Sequence, residues 1–309
     1  MTRLGWRIAV RAAGALFAAA LALSSAQAES VRTGPGVGET ARYSLSVDLI
    51  VRDDNQQGTE TGALIQTAHV ALEGVGVEED GSLLVRGRFD QLTSVWRRGG
   101  TQLEFSWSRQ DDADPTPSEE PTTPAEAFEV IFAGLAARPF EARVSPSGVV
   151  VSLSGVMADA VAAKTGLLDV NAVGMFRPAR LAAMLGPIFD AASLPMHRPQ
   201  PWTSKRREAL GRAGAVEIVT AWVPHVGDDS AVSAQGSITV RALEPTEASA
   251  GQPAVEIIRA QGNGELEWSP TTGLGLWSET LTLGTRWTIG DLTVGLSQRS
   301  ERTVRRLPE

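Results

Sequence analysis

The sequence predicts a mainly β protein of the α+β type: a single curved antiparallel sheet, or half-barrel, wrapped around a two-helix insert. Three observations predict it. Apolar and polar residues alternate in short runs along most of the chain. The 31 glycines and 17 prolines punctuate those runs in the manner of strands and turns. Between about 155 and 190 the apolar spacing lengthens from two residues to three or four, which is the period of a helix. With 309 residues, 42% of them hydrophobic and 21% charged, the chain is long enough to bury a full core.

The N-terminus is set apart from this pattern. Arg3, Arg7 and Arg11 precede the apolar run Ala12 to Leu23, and Ala26-Gln27-Ala28 supplies small residues for cleavage. That is a secretory signal peptide over 1-28, cut after Ala28. The run is short of the ~20 residues of a bilayer span, and no other segment is long or apolar enough to be one. The absence of cysteine rules out disulfides and a lipid-modified N-terminal cysteine. The expected location is a bacterial periplasm or the extracellular medium. Removing three arginines from 28 basic residues set against 36 acidic ones takes the net charge from −8 to −11. A chain this acidic is poorly suited to nucleic acid or anionic membranes.

The remainder, 29-309, reads as one β-rich domain. After a Gly-rich lead-in, Tyr43, Leu45, Val47, Leu49 and Val51 share one face of a first strand. A second alternating run covers about 63 to 77, where Gly74 and Gly76 mark a bulge or bend. Asp80-Gly81 predicts a hairpin into Leu83, Val85 and Phe89, and Gly99-Gly100 turns the chain into Leu103, Phe105 and Trp107. These segments make a four-strand meander. From about 110 to 124 five acids and four prolines accumulate without a basic residue, which predicts a disordered loop. Order resumes at Phe128.

Phe140, Ala142 and Val144, then Ser145-Pro146-Ser147-Gly148, then Val149, Val151 and Leu153 form a second hairpin. A first helix is expected from Val156, Met157, Ala160 and Val161, capped by Ser154 and ended by Gly166. A second begins at Pro178 and carries Leu181, Met184, Leu185, Ile188 and Phe189 on one stripe, with Pro187 expected to kink or shorten it. Pro195, Pro199 and Pro201 then favour an extended strap ending at Trp202. Strands return at Val216-Ile218-Thr220, Ile238-Val240 and Val255-Ile257, and Asn263-Gly264 predicts another hairpin. Leu266, Trp268, Leu274, Leu276, Leu281, Leu283, Trp287 and Leu292 to Leu296 supply the last strands. Since every connection reads as a hairpin, one bent sheet can bury its apolar face against the stripes of the helices.

Motifs for catalysis are missing. There is no Gly-x-Ser-x-Gly, no Ser-x-x-Lys and no glycine loop leading from a strand into a helix. The acid pairs fall in turns or the acidic loop and lack calcium-loop spacing. His69 and His225 have no partner at metal-ligand spacing, and no cofactor is implied. His197, beside Arg198 in the strap, would need a carboxylate and a hydroxyl within reach to serve a hydrolase. Arg97-Arg98, Lys205-Arg206-Arg207 and Arg305-Arg306 are expected to be solvated turns or tails.

The order Ala41-Arg42-Tyr43-Ser44-Leu45, Glu79-Asp80-Gly81-Ser82, Val144-Ser145-Pro146-Ser147-Gly148-Val149, Leu185-Gly186-Pro187-Ile188-Phe189, Trp202 and Gly264-Glu265-Leu266-Glu267 resembles an uncharacterised family of exported bacterial β-rich proteins. The likeness spans most of the chain but consists of turn and core positions, so it implies the architecture and no catalytic residue. The sheet-and-helix arrangement also resembles, at the level of fold, the half-barrel lipoprotein carriers of the bacterial envelope. The sequence therefore leads to a non-enzymatic exported protein that holds a hydrophobic small molecule or a partner segment. The ligand-binding residues would be Leu181, Met184, Leu185, Phe189, His197 and Trp202. The alternatives are a structural protein contacting other envelope proteins and, third, a hydrolase without a recognisable motif.

Overall fold

A computed structural model of the chain describes residues 34–55, 58–110, 121–156, 170–190, 200–209, 215–226, 231–243, 254–289 and 292–308. The first four strands, β1 (Thr40–Asn55), β2 (Gly58–Val77), β3 (Leu83–Arg98) and β4 (Thr101–Ser108), form the expected antiparallel meander. Turn chemistry fixes the β2–β3 connection. Gly81 adopts φ 81°, the Ser82 N–H donates to Asp80 Oδ1 at 3.0 Å, and the Glu78 N–H donates to the Ser82 carbonyl at 2.8 Å. β5 (Phe140–Val144) pairs with the first half of β3, below β4, and carries the short hairpin partner β6 (Val150–Ser154).

The remaining strands are β7 (Trp202–Ala209), β8 (Ala215–Val226), β9 (Val232–Leu243), β10 (Ala254–Ser269), β11 (Gly273–Ile289) and β12 (Leu292–Arg306). β12 returns to pair with β1, so both halves join in one open antiparallel sheet of twelve strands. Its order is β6-β5-β3-β2-β1-β12-β11-β10-β9-β8-β7, with β4 beside β3.

Two of the sequence expectations are corrected here. Gln261 to Gly264 is not a hairpin; β10 runs straight through it, and the turn lies at Pro270 to Thr272. Gly262 and Gly264 serve their neighbours instead. A Cβ on Gly264 would stand 2.8 Å from the Trp222 ring, and one on Gly262 3.1 Å from the Ile238 side chain. The basic clusters are likewise no turns or tails: Lys205 to Arg207 form the middle of β7, Arg97-Arg98 the paired end of β3, and Arg305-Arg306 the paired end of β12.

Two α-helices and a 3-10 segment lie against one face of the sheet. Helix α1 (Pro124–Ala137) was not foreseen from the sequence. Thr123 caps it, accepting from the Glu126 N–H at 3.2 Å while the Glu126 carboxylate accepts from the Thr123 N–H at 3.3 Å, and Pro124 starts its first turn. Helix α2 (Pro178–Phe189) forms where the apolar stripe predicted it and continues past Pro187 to Phe189. The helix expected after Val156 falls on 157–169, and most of the proline strap on 191–199, both outside the described residues; so do 111–120 of the acidic loop.

Phenylalanines tie the layers together. Phe105 of β4 stacks on Phe132 of α1 at 5.4 Å; Phe132 meets Phe176 of the 3-10 segment (Val170–Phe176) at 5.2 Å; Phe176 meets Phe89 of β3 at 5.6 Å. Such pairs add about 0.5–1.5 kcal/mol each beyond their burial. At the centre of the same face Gln66 is fully buried and pins the 3-10 segment to the sheet. It donates to Ser94 Oγ at 2.9 Å and to the Val173 carbonyl at 3.2 Å, and accepts from the Met175 N–H at 2.7 Å. Gly174, at φ 58°, leaves room for that carboxamide, since a Cβ there would collide with Gln66 Oε1.

Curvature follows from which elements touch. Neighbouring strands lie about 4.8 Å apart, so β6 and β12, five steps along the sheet, would be roughly 24 Å apart if it were flat. Helix α2 packs on both β6 and β12, and on β11 beyond. The sheet therefore bends around the helix. On the opposite face β9 and β10 are polar, with Gln261, Asn263, Glu265, Glu267, Ser233, Gln235, Ser237 and Thr239 all exposed, while Ile50 of β1, Ile65 of β2 and Val223 of β8 are exposed apolar residues. Among the described residues no helix is long and apolar enough to cross a membrane.

Candidate ligand-binding cleft at the free end of the sheet

The C-terminal half of the sheet curls back on itself. Alternation points Trp202, Ser204, Arg206 and Glu208 of β7 to the concave face. The Arg206 guanidinium forms a two-pronged ion pair with Glu279 of β11, and Arg302 of β12 donates to Glu208 at 2.7 Å. These partners are four and five strand steps away, so β7 has been brought back over the middle of its own sheet. Beneath the ion pairs a small apolar cluster fills the curl: Val216, Ile218, Ile238 and Leu281, with Val240 and Ile257 against it.

Opposed charges hold this curl in a place of low exposure. Glu279 is 3% exposed and Arg302 17%. Burial alone would push the Glu208 carboxyl up, but the Arg302 guanidinium, with Arg206 and Arg180 behind it, outweighs burial and holds it below the ordinary glutamate value of 4.5. Arg302 is in turn held more firmly charged, since Glu208 outweighs the burial that opposes its charge. A carboxyl with a lowered folded-state pKa contributes stability that is complete above its unfolded value and is lost as pH falls through the folded value. Urea midpoints measured across pH should accordingly be steady down to about 4.5 and then decline. Glu208→Gln should decline less steeply over that acid window; an unchanged slope would remove Glu208 from the account.

Above the ion pairs, between β7, helix α2 and the β5–β6 hairpin, lies a cleft of about 370 Å³. Trp202, Trp222 and Trp277 form its aromatic wall, with Leu266 and Leu274 beside them. Trp202 stacks on Trp222 with centroids 5.9 Å apart and planes 19° from parallel. Trp222 Nε1 donates to Ser204 Oγ at 2.9 Å, while Trp202 Nε1 is buried without an acceptor among the described residues. Gly236 and Gly264 face the Trp222 ring from the two next strands, and a Cβ on either would come within 2.9 Å of it. Small residues on α2, Ala179, Ala182 and Ala183, make the opposite wall with Met184 and Pro187. Gly148 and Val149 of the β5–β6 turn close one side. Four of the five charged lining residues are basic: Lys205, Arg206, Arg207 and Arg302, against Asp190.

Of the residues expected to bind a ligand, the structure brings Met184 and Trp202 together in this cleft. Leu181, Leu185 and Phe189 lie on the same helix but are buried in the core and do not line it. His197 lies outside the described residues. The sequence reading missed Trp222, Trp277 and the small face of α2. The available signal was Gly236, a strand glycine without a turn to explain it; Gly264, which faces the same ring, was hidden behind the Asn-Gly turn signal. His69 lines a second, more polar cleft of about 280 Å³, where Arg42, Arg88 and Arg109 surround Asp90 at 3.6, 3.3 and 3.9 Å. Among the described residues no group of His, Cys, Asp or Glu is arranged to hold a metal ion.

No protein-family model matches the chain, and no curated protein matches it. Among solved structures it shows a distant similarity to the crystal structure of Pseudomonas aeruginosa OccK5 (OpdH). The identity is 7% and the TM-score 0.28, over 89% of this chain and 100% of that one. Likeness at that level carries no argument. What the fold and cleft define is a class: a β-rich protein built on one open, curved antiparallel sheet with helices in its concavity.

Proposed function

We propose that the chain acts after export as a non-enzymatic binding or carrier protein, holding a hydrophobic ligand or an apolar segment of a partner in the concavity of its sheet. The observation that carries this reading is the tryptophan-walled cleft. Its volume, about 370 Å³, falls in the range of ligand sites, and tryptophan, leucine, alanine and methionine side chains make up much of its lining. The signal-like N-terminus supports a periplasmic or secreted location. Native mass spectrometry of the protein purified from a producing bacterium, followed by solvent extraction, tests the reading. A co-purifying apolar molecule, or titration of the tryptophan emission by an added one, is the expected result. An empty protein whose emission no apolar compound changes would contradict it.

A further inference from the structure

We propose that the guest of the cleft is an extended polypeptide segment of a partner protein, acidic and apolar in alternation, which adds to the free edge of β7 as a further strand. The proposal rests on the binding reading above and names its guest. Successive strand residues point to opposite faces, so a cleft lying only beneath a sheet is lined by every second residue. Here Ser204, Lys205, Arg206 and Arg207 line it in succession, although Ser204 and Arg206 point inward and Lys205 and Arg207 are exposed on the other face. A cleft that touches both sets runs along the edge of the strand, where main-chain N–H and C=O groups project. β7 is the last strand of the sheet, and among the described residues it pairs with β8 alone.

Charge decides what the edge accepts. Arg206 and Arg302 are engaged with Glu279 and Glu208, whereas Lys205 and Arg207 form no ion pair among the described residues. Two exposed cations on an edge strand repel a second copy of that strand and attract an acidic one. Alternation in the guest then has a use: one set of its side chains reaches the cations, and the other enters between the stacked tryptophans and the alanine face of α2. An aliphatic chain would use the tryptophans and leave both the edge and the cations without a partner.

The probe is a synthetic peptide of alternating Val and Glu, about ten residues long to match a strand, titrated into the mature protein with tryptophan emission as the readout. Two comparison ligands are the same peptide N-methylated on alternate amides, which removes its donors, and dodecanoate, which is apolar but has no main chain. The parent peptide should bind, and methylation should weaken it about tenfold or more. The doubly substituted K205E/R207E protein, its fold checked by circular dichroism, should bind the parent about tenfold more weakly at low salt, with the difference closing as salt rises. Equal binding of the methylated peptide, or no effect of the charge reversal, overturns the proposal. Binding of dodecanoate but not of either peptide overturns it and leaves the binding reading standing; binding of neither removes both.

Discussion

Glu279→Leu is expected to destabilise the protein by about 3 kcal/mol, the lower end of what breaking a buried ion pair costs. Glu279 is 3% exposed and takes both prongs of the Arg206 guanidinium, which is itself 26% exposed. Partial exposure lets water recover some of the loss at Arg206, hence the lower end of the range. The loss should concentrate in the C-terminal strands, because the pair is what holds β7 over β11. Urea denaturation gives the total, and hydrogen exchange gives its location. A change under about 1 kcal/mol would mean that the pair is solvated and contributes as a surface pair does.

Gln66→Leu should cost about as much, roughly 3 kcal/mol, for a different reason. Leucine fills the volume but leaves the Met175 N–H and the Val173 carbonyl buried without this partner, and each unmet group costs about 1–3 kcal/mol. Ser94→Ala is the control. It removes one of several bonds to Gln66 and should cost about 1 kcal/mol. If the two substitutions prove equally mild by urea denaturation, the 3-10 segment does not depend on Gln66 for its attachment to the sheet.

Much of the fold was legible because the residues that make it are local. Alternation fixes the faces of β1, β2 and β3, the Asp80-Gly81 turn fixes a register, and the stripe through Leu181, Leu185 and Phe189 fixes helix α2. Helix α1 was legible in principle: Thr123-Pro124-Ala125-Glu126 is a capping box, and Phe128, Ile131, Phe132 and Leu135 repeat at helical spacing. The adjoining acidic, proline-rich composition masked that start. Asn263-Gly264 failed in the opposite direction, because a local turn signal was overridden by a tertiary need, the space taken by Trp222 from two strands away.

The cleft was the least legible part. Arg206 and Glu279 are 73 residues apart and Trp202 and Trp277 are 75 apart, and no local pattern relates them. Met184 and Trp202 could be picked out because one is on an amphipathic stripe and the other ends a proline-rich run. Which face of α2 meets the core and which meets the cleft depends on how far the sheet bends, and the contacts that span the bend, Arg206 with Glu279 and Arg302 with Glu208, join residues far apart in the chain.

The cleft exists only if β7 is carried back over β11 and β12, and a double-mutant cycle on Arg206 and Glu279 tests this most directly. In a flat sheet the two residues would be about 19 Å apart and their substitutions would add within about 0.5 kcal/mol. With the curl in place, Arg206→Met and Glu279→Leu should each be costly alone and the double substitution no worse than the milder single one, a coupling of about 2 kcal/mol or more. Simple additivity would contradict the curl, and the cleft with it.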